Sequence, residues 1–202
     1  EIDQNSLTSI DLSNNLYLSL LSITSNQLTT LNVTVNSSLW HLNCNNNNLT
    51  SLDVSSNAAL TRLGCSDNQL TTLDVSNNVN LSSLQCENNE LTYLDLRNGN
   101  NLNMATNSGY SGFNLTNNPN LTCINVDNSA WSSNNWTVAN GNIDPQHYFS
   151  NNCSGPTSIQ EHSTNKELIK ITDILGRETK QTNQPLFYIY DDGTVEKRIV
   201  IE

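Results

Sequence analysis

The sequence of 202 residues is poor in charged and aromatic side chains, which make up 13% and 6% of it. It has no apolar run near the roughly 18 residues of a membrane-spanning helix, so we predict no transmembrane segment. Its net charge of −11 would repel a phosphate backbone, which excludes nucleic acid as an expected partner. The regular supply of leucine, in turn, distinguishes the chain from a disordered acidic segment.

Motifs for catalysis and metal binding are also missing. The sequence contains no phosphate-binding loop, nucleophile elbow or zinc pattern. The three histidines, His41, His147 and His162, stand far apart, and none has a Cys or carboxylate at catalytic spacing. We therefore predict a protein that is not an enzyme and has no cofactor, while a catalytic domain upstream stays open.

What the sequence does contain is a 21-residue repeat built from two similar halves. Within each half, apolar and polar residues alternate as in a strand, and an asparagine then marks a turn. The repeat predicts stacked coils with two parallel sheets, an arrangement that needs several units and end caps. The pattern L-x-x-L-x-C-x-x-N-x-L is carried by Leu39, Leu42, Cys44, Asn47 and Leu49.

Cysteine and asparagine recur at fixed positions of the repeat. Cys44, Cys65 and Cys86 should stack in the core as free thiols, because their parallel Cβ vectors do not suit a disulfide and no histidine accompanies them. Two asparagine ladders should satisfy buried backbone groups in the turns. Their members are Asn26, Asn47, Asn68 and Asn89, and Asn15, Asn36, Asn57 and Asn78.

These repeats resemble the bacterial leucine-rich repeats of the internalin type, and especially the 21-residue variety with a cysteine ladder. The resemblance covers roughly residues 7–126 and is carried by stretches such as LTSLDVSSNAALTRLGC. It implies a β-rich solenoid, a right-handed leucine-rich repeat coil with parallel sheets. It also implies a secreted or surface-exposed protein that adheres to, or binds, a protein or glycan without enzymatic activity. The family has no fixed ligand, so it supplies no binding residues.

The repeat pattern changes near both of its ends. It weakens at residues 97–101, after which we expect a shortened coil and a bulge at residues 107–112; this irregular loop is either functional or a decayed repeat. At the start, Ile2 occupies the position of Cys65 in its repeat. We therefore expect that further protein, or a removed cap, preceded this sequence.

The repeat pattern ends at Val126, and aromatic residues beyond it, such as Trp131 and Trp136, predict a cap over the last coil. Cys123 occupies an outward position of the last strand, unlike the ladder cysteines. We predict that a Cys123–Cys153 disulfide closes the cap, which suits an oxidising, extracytoplasmic setting. Two free thiols are the alternative. Surface repeats of Bacteroidetes show a similar cap.

The composition changes again after residue 165, where six of the eight Lys and Arg residues lie. Alternating segments with turn signals predict a small three-stranded antiparallel β tail. This tail resembles a short type A sorting signal of the type IX secretion system of Bacteroidetes, although the usual first strand motif is missing. The resemblance implies export across the outer membrane and recognition by the outer-membrane carrier or translocon of that system. The residues that carry it are Leu175, Gly176, Arg177, Gly193, Lys197, Arg198, Ile199, Val200 and Ile201.

The sequence thus divides into a solenoid (1–126), a cap (127–153), a linker (154–165) and a sorting tail (166–202). A candidate binding face lies on the first-half strands, because side chains there vary from coil to coil. Trp40 and Tyr93 are predicted to be exposed aromatics near it. The face residues are His41, Asn43, Arg62, Gln85 and Glu87.

Two regular columns offer alternatives. An outward column of carboxylates and amides could form a calcium-binding strip, but we favour a solvated face whose oxygens bond nearby hydroxyls and backbone groups. It contains Asp11, Asn32, Asp53, Asp74 and Asp95. A threonine column could match an ice or crystal lattice, and a further alternative is a non-catalytic spacer of a larger surface enzyme. The threonines are Thr8, Thr29, Thr50, Thr71 and Thr92.

Overall fold

The structure is a computed structural model that describes residues 2–107 and 112–153, together with the backbone of three later strands. The chain forms two units, Glu1–Gly155 and Pro156–Glu202. The strands of the first unit are β1 (Leu20–Ser22), β2 (His41–Asn43), β3 (Arg62–Gly64), β4 (Thr72–Asp74), β5 (Ser83–Gln85), β6 (Tyr93–Asp95), β7 (Phe113–Asn114), β8 (Cys123–Asn125) and β9 (Tyr148–Ser150). Those of the second unit are β10 (Leu168–Thr172), β11 (Pro185–Tyr190) and β12 (Val195–Ile199).

The first unit is the predicted solenoid with two parallel sheets. The first sheet has the strand order β1-β2-β3-β5-β7, and the second sheet has the order β4-β6-β8-β9. Neighbouring strands pair in register across one repeat, as Leu42 does with Leu63 and Leu63 with Leu84. Each coil therefore adds one layer of side chains to a continuous core.

The core is built from the central leucine of each strand and from the residue two positions later. Leu42, Leu63 and Leu84 are buried, and each such leucine contributes about 1.5–3 kcal/mol relative to an exposed one. Cys44, Cys65 and Cys86 are fully buried free thiols, which confirms the predicted cysteine ladder.

The asparagine ladders hold neighbouring coils together. The oxygen of Asn47 accepts the backbone N–H of Leu28 in the preceding coil, and its amide donates to Cys44 O in its own coil and Ile23 O in the preceding one. Asn57 in the second ladder donates only to the preceding coil. These contacts confirm the predicted role in the turns, although Asn15 is exposed rather than buried.

The coil before the cap is longer than the others, so the prediction of a shortened coil is wrong. Leu84 pairs with Phe113, 29 residues later in the chain instead of 21. The extra length follows β6 and includes a short 3-10 helix at Asn101–Asn103. Phe113 N donates to Asn107 O at 2.7 Å, which closes this loop. The predicted bulge lies largely outside the described residues, at positions 108–111.

The cap consists of helix α1 (Ser129–Asn135) and strand β9. Trp136 follows the helix, is fully buried, and stacks on Phe113 with 3.9 Å between ring centroids. Its Nε1 donates to Ala105 O, so the ring anchors the cap to the last coils. Cys123 and Cys153 form the predicted disulfide.

The second unit is an antiparallel sheet in the order β10-β11-β12, which confirms the three-stranded tail. Lys197, Arg198 and Ile199 of the predicted sorting signal lie in β12. Within the described ranges, no helix combines the length and the apolar character that a membrane crossing requires. The other signal residues lie outside the described part of the chain: Leu175, Gly176, Arg177, Gly193, Val200 and Ile201.

Candidate functional site: the outward face of the first sheet

The first sheet brings four predicted binding residues onto three adjacent strands. His41 and Asn43 lie on β2, Arg62 on β3 and Gln85 on β5. His41 is the direct partner of Arg62 in the parallel pairing. Because a central leucine points into the core from each strand, alternation turns the flanking residues outward. Adjacent strands lie about 4.8 Å apart, so these side chains form one patch.

Gly64 gives this patch a shallow depression, with His41, Arg62 and Gln85 at its sides and Gly64 and Ser83 at its base. A Cβ atom at Gly64 would lie 3.0 Å from Asn45 Oδ1, closer than side-chain atoms normally pack. The same Asn45 oxygen accepts the backbone N–H of Ser66 at 2.8 Å in the next coil. The missing side chain at position 64 therefore permits this crossing contact, and the amides of Asn43 and Asn45 occupy the space above Gly64.

Arg62 provides positive charge on an acidic solenoid. Before Lys166, the only other Lys or Arg is Arg97, which pairs with Asp95. No carboxylate of the described residues forms an ion pair with Arg62, whose side chain is exposed. Partial burial, and then the nearby guanidinium of Arg62, lower the pKa of His41. His41 is therefore neutral at pH 7 and can both donate and accept a hydrogen bond.

Trp40 extends the patch on its apolar side. It directly precedes β2, is 39% exposed, and its ring centroid lies 5.4 Å from that of His41. Trp40 N donates to Ser19 O in the preceding coil, and Thr61 N donates to Trp40 O from the next. Because its side chain is partly exposed, the indole can contact a ligand.

Two residues predicted to lie on or near this face are placed differently. Tyr93 lies in β6 of the second sheet, where its hydroxyl donates to Asp95 Oδ2 at 3.0 Å, so the expectation of an exposed aromatic beside the binding residues is wrong. Glu87 lies beyond the end of β5, and its Oε2 is buried without a hydrogen-bond partner among the described residues.

The carboxylates of the outward column accept hydrogen bonds from the turns that follow them. Asp53 Oδ1 accepts the N–H of Ser55 at 2.9 Å, and Asp74 accepts that of Ser76 in the same way. Hydrogen bonds from Ser55 lower the pKa of Asp53. The structure thus shows the solvated face that the sequence favours. In the part of the chain that the structure describes, no three His, Cys, Asp or Glu side chains are grouped to share a metal ion.

Asp95 departs from this column, because its carboxylate is buried rather than exposed to solvent. Arg97 Nε donates to Asp95 Oδ1 at 2.9 Å and covers the carboxylate. Although burial raises the pKa of Asp95, the hydrogen bonds from Arg97 and Tyr93 outweigh it and hold this pKa below its usual value. The sequence signal for this pair was the single arginine two residues after the aspartate.

The threonine column is exposed but does not lie on one regular sheet. Strand pairing on this side of the solenoid begins only at β4 among the described residues. The hydroxyl of Thr92 donates to Thr71 O at 3.2 Å, so it is engaged within the protein. A lattice-matching array would need free hydroxyls at constant spacing along the whole column.

Comparison with solved structures shows a similarity of fold. No family model and no curated protein matches the chain. The chain is similar to the functional domain of InlJ from Listeria monocytogenes, a solved structure that includes a cysteine ladder, with 20% sequence identity and a TM-score of 0.48. The match covers 95% of this chain and 59% of the InlJ chain, so this chain spans less than two thirds of that length. Similarity at this level assigns no activity.

Proposed function

We propose that this chain is a binding or adhesion protein, without catalytic activity, that acts outside the cell and recognises its ligand with the outward face of the first sheet. The observation that carries the proposal is the contrast between the two sheets. On the first, the outward residue changes from coil to coil in both rows, which read His41, Arg62, Ser83 and Asn43, Gly64, Gln85. On the second, the outward oxygens recur and are used by the turns that follow them.

The Cys123–Cys153 disulfide supports the extracellular part of this proposal. Disulfides persist in oxidising compartments and are rare in the cytosol. In this chain the bridge joins the last regular coil to the end of the cap. This closure stabilises a secreted solenoid, because no further coil packs against its last coil.

We also propose that the C-terminal unit directs export through a type IX secretion system. The support is the resemblance of its sequence to a type A sorting signal. Strand β12 lies at one edge of the antiparallel sheet, and an edge of this kind can bind a partner by strand addition. The acidic solenoid would then be the exported cargo.

Binding is tested with the disulfide-bonded full chain against an immobilised panel of extracellular matrix proteins, mucin and glycans. The double variant His41→Ala/Arg62→Ala should lose at least about tenfold in affinity for any captured surface. The matched control Thr50→Ala/Thr71→Ala changes two exposed residues of the opposite side and should bind normally. Loss of binding in the control alone, with both variants folded, would contradict the proposed face.

Export is tested in a bacterium with a working type IX system. The full chain should reach the cell surface or the medium, and a chain lacking residues 197–202 should stay in the periplasm. The variant Thr50→Ala/Thr71→Ala, with its tail intact, should be exported normally. Export of the shortened chain at the wild-type level would reject this role of the tail.

A further inference from the structure

We infer that the first sheet binds a saccharide carrying a single carboxylate, with the carboxylate on Arg62 and the sugar ring against Trp40. This inference rests on the function proposed above and specifies its ligand. It is drawn from the charge, shape and chemistry of the patch that contains Trp40, His41, Asn43, Arg62 and Gly64.

The charge around Arg62 favours a ligand with one carboxylate over a ligand with many. Arg62 is exposed and forms no ion pair with the described residues, whereas Arg97 is occupied by Asp95. A guanidinium fork binds a carboxylate through two parallel hydrogen bonds. A polyanion such as an acidic peptide would find one such partner on a chain with a net charge of −11, and its other charges would be repelled.

The residues around Arg62 match the remaining surface of a sugar. The exposed indole of Trp40 offers a flat apolar platform against which the C–H face of a pyranose can pack. Leu20, which pairs with His41 and is 40% exposed, widens this apolar side. Neutral His41 and the amide of Asn43 can exchange hydrogen bonds with hydroxyl groups.

The dimensions of the patch also fit one or two sugar rings. Three residues of a strand extend about 10 Å, and three neighbouring strands span about 10 Å. The side-chain amides of Asn43 and Asn45 lie over Gly64, so a ring at the centre of the patch would meet polar amide groups. A protein partner would need a broader surface with several large apolar anchors, and this patch has only Trp40 and Leu20.

The test is a titration of the disulfide-bonded full chain, followed by backbone NMR shifts, with four probes. These are 3′-sialyllactose, a glucuronic-acid disaccharide, neutral lactose, and a hexaglutamate peptide. At least one acidic saccharide should shift amides of β2 and β3 and bind at least about tenfold more tightly than lactose, since its carboxylate adds a charged hydrogen-bonded pair.

Variants locate the two contacts. Arg62→Gln should weaken acidic-saccharide binding about tenfold, and Arg62→Lys should weaken it less because the charge remains. Trp40→Ser should weaken acidic saccharide and lactose alike. The control Leu102→Ser alters a side chain that is 62% exposed and lies outside the patch, so it should have no effect.

Three results would overturn the inference: no shift with either acidic saccharide, equal affinity for lactose, or a response to hexaglutamate alone. If the His41→Ala/Arg62→Ala variant still abolishes capture on the panel in any of these cases, the binding function stands and only the ligand class is wrong. If that variant binds the panel as well as the wild type does, both the proposed binding face and the proposed ligand class are contradicted.

Discussion

Asn68 accepts the backbone N–H of Leu49 through its side-chain oxygen, at 2.9 Å, from one coil to the coil before it. Its amide nitrogen donates at 3.1 Å to the carbonyls of Cys44, Cys65 and Ser66. One buried side chain thus replaces the backbone partners that a turn cannot supply. The solenoid depends on such contacts because its turns are buried on the inner side and water cannot reach them.

Replacing Asn68 with alanine should lower the free energy of unfolding by about 3–5 kcal/mol, because one N–H and several carbonyls lose their partner. Asn57 is the matched control, since it is also buried but donates only two hydrogen bonds and its Oδ1 has no partner among the described residues. Asn57→Ala should therefore cost about 1–3 kcal/mol. Urea unfolding of both variants measures the difference; equal losses would show that the oxygen contact to Leu49 contributes nothing.

The cysteine ladder predicts a graded response at Cys65. Cys65→Ser places a hydroxyl in an apolar core and should cost about 1–3 kcal/mol, whereas Cys65→Ala should cost less. Burial raises the pKa of the Cys44 thiol, so the native ladder should be unreactive toward a thiol reagent at pH 8 and should release three thiols on unfolding. Rapid modification of the folded chain would contradict the fully buried placement.

A left-handed turn residue occurs once per coil and offers a stabilising substitution. Ser25, Asn46, Asp67 and Asn88 all have φ between 54° and 56°. Asparagine tolerates this conformation best among residues other than glycine, so Ser25→Asn should raise the free energy of unfolding by about 0.5 kcal/mol. Ser25→Val should lower it by about 1–2 kcal/mol. Ser37→Val, at an exposed site without positive φ, should change it little; the three values come from denaturant titrations.

The cap should weaken in mild acid because of His147. This ring is buried; Nδ1 accepts the N–H of Asp144 at 3.2 Å, and Nε2 lies 3.4 Å from Asn118 O. Burial lowers the pKa of His147, and the Asn118 carbonyl and Asp144 offset only part of this effect. Protons therefore bind the unfolded chain more readily, and stability present above about pH 6.5 is lost as the pH falls toward the lowered value.

Melting temperatures at pH 7.5 and pH 5 test this expectation. The wild type should melt at a lower temperature at pH 5, and His147→Gln should remove most of that difference. His41→Gln is the comparison: the pKa of His41 is also lowered, but this ring is only partly buried, so its replacement should remove less of the difference. The pKa values of Asp11 and Asp53 are also lowered, but these carboxylates titrate in more acidic solution and do not affect stability between pH 5 and pH 7.5. A pH dependence that survives in His147→Gln would place its origin elsewhere.

The regular part of the fold could be predicted because each 21-residue unit repeats the same environment. A leucine that is buried in one coil is buried in the next, so Leu63 and Cys65 follow from Leu42 and Cys44. The disulfide could be predicted because Cys123 departs from that environment. Periodicity, however, does not determine how a coil absorbs an insertion, which is why the coil that ends at Phe113 is longer than the sequence predicts.

The candidate site could be predicted only in part, since alternation gives the direction of a side chain but not its contacts. It placed His41 and Arg62 outward, but it also placed Asp95 outward, where Arg97 covers it. It could not reveal that the Asn45 amide lies over Gly64 and accepts a hydrogen bond from the next coil. Such cross-coil contacts exist only once the coils are stacked.

The central claim is that the first sheet is the ligand-binding face, and hydrogen exchange of the full chain tests it most directly. Exchange is measured with and without the panel component that the wild type captures. We predict slower exchange at the amides of β2, β3 and β5 and of Trp40, with β4 and β6 unchanged. Protection confined to β4 and β6, or to the cap, would contradict the account.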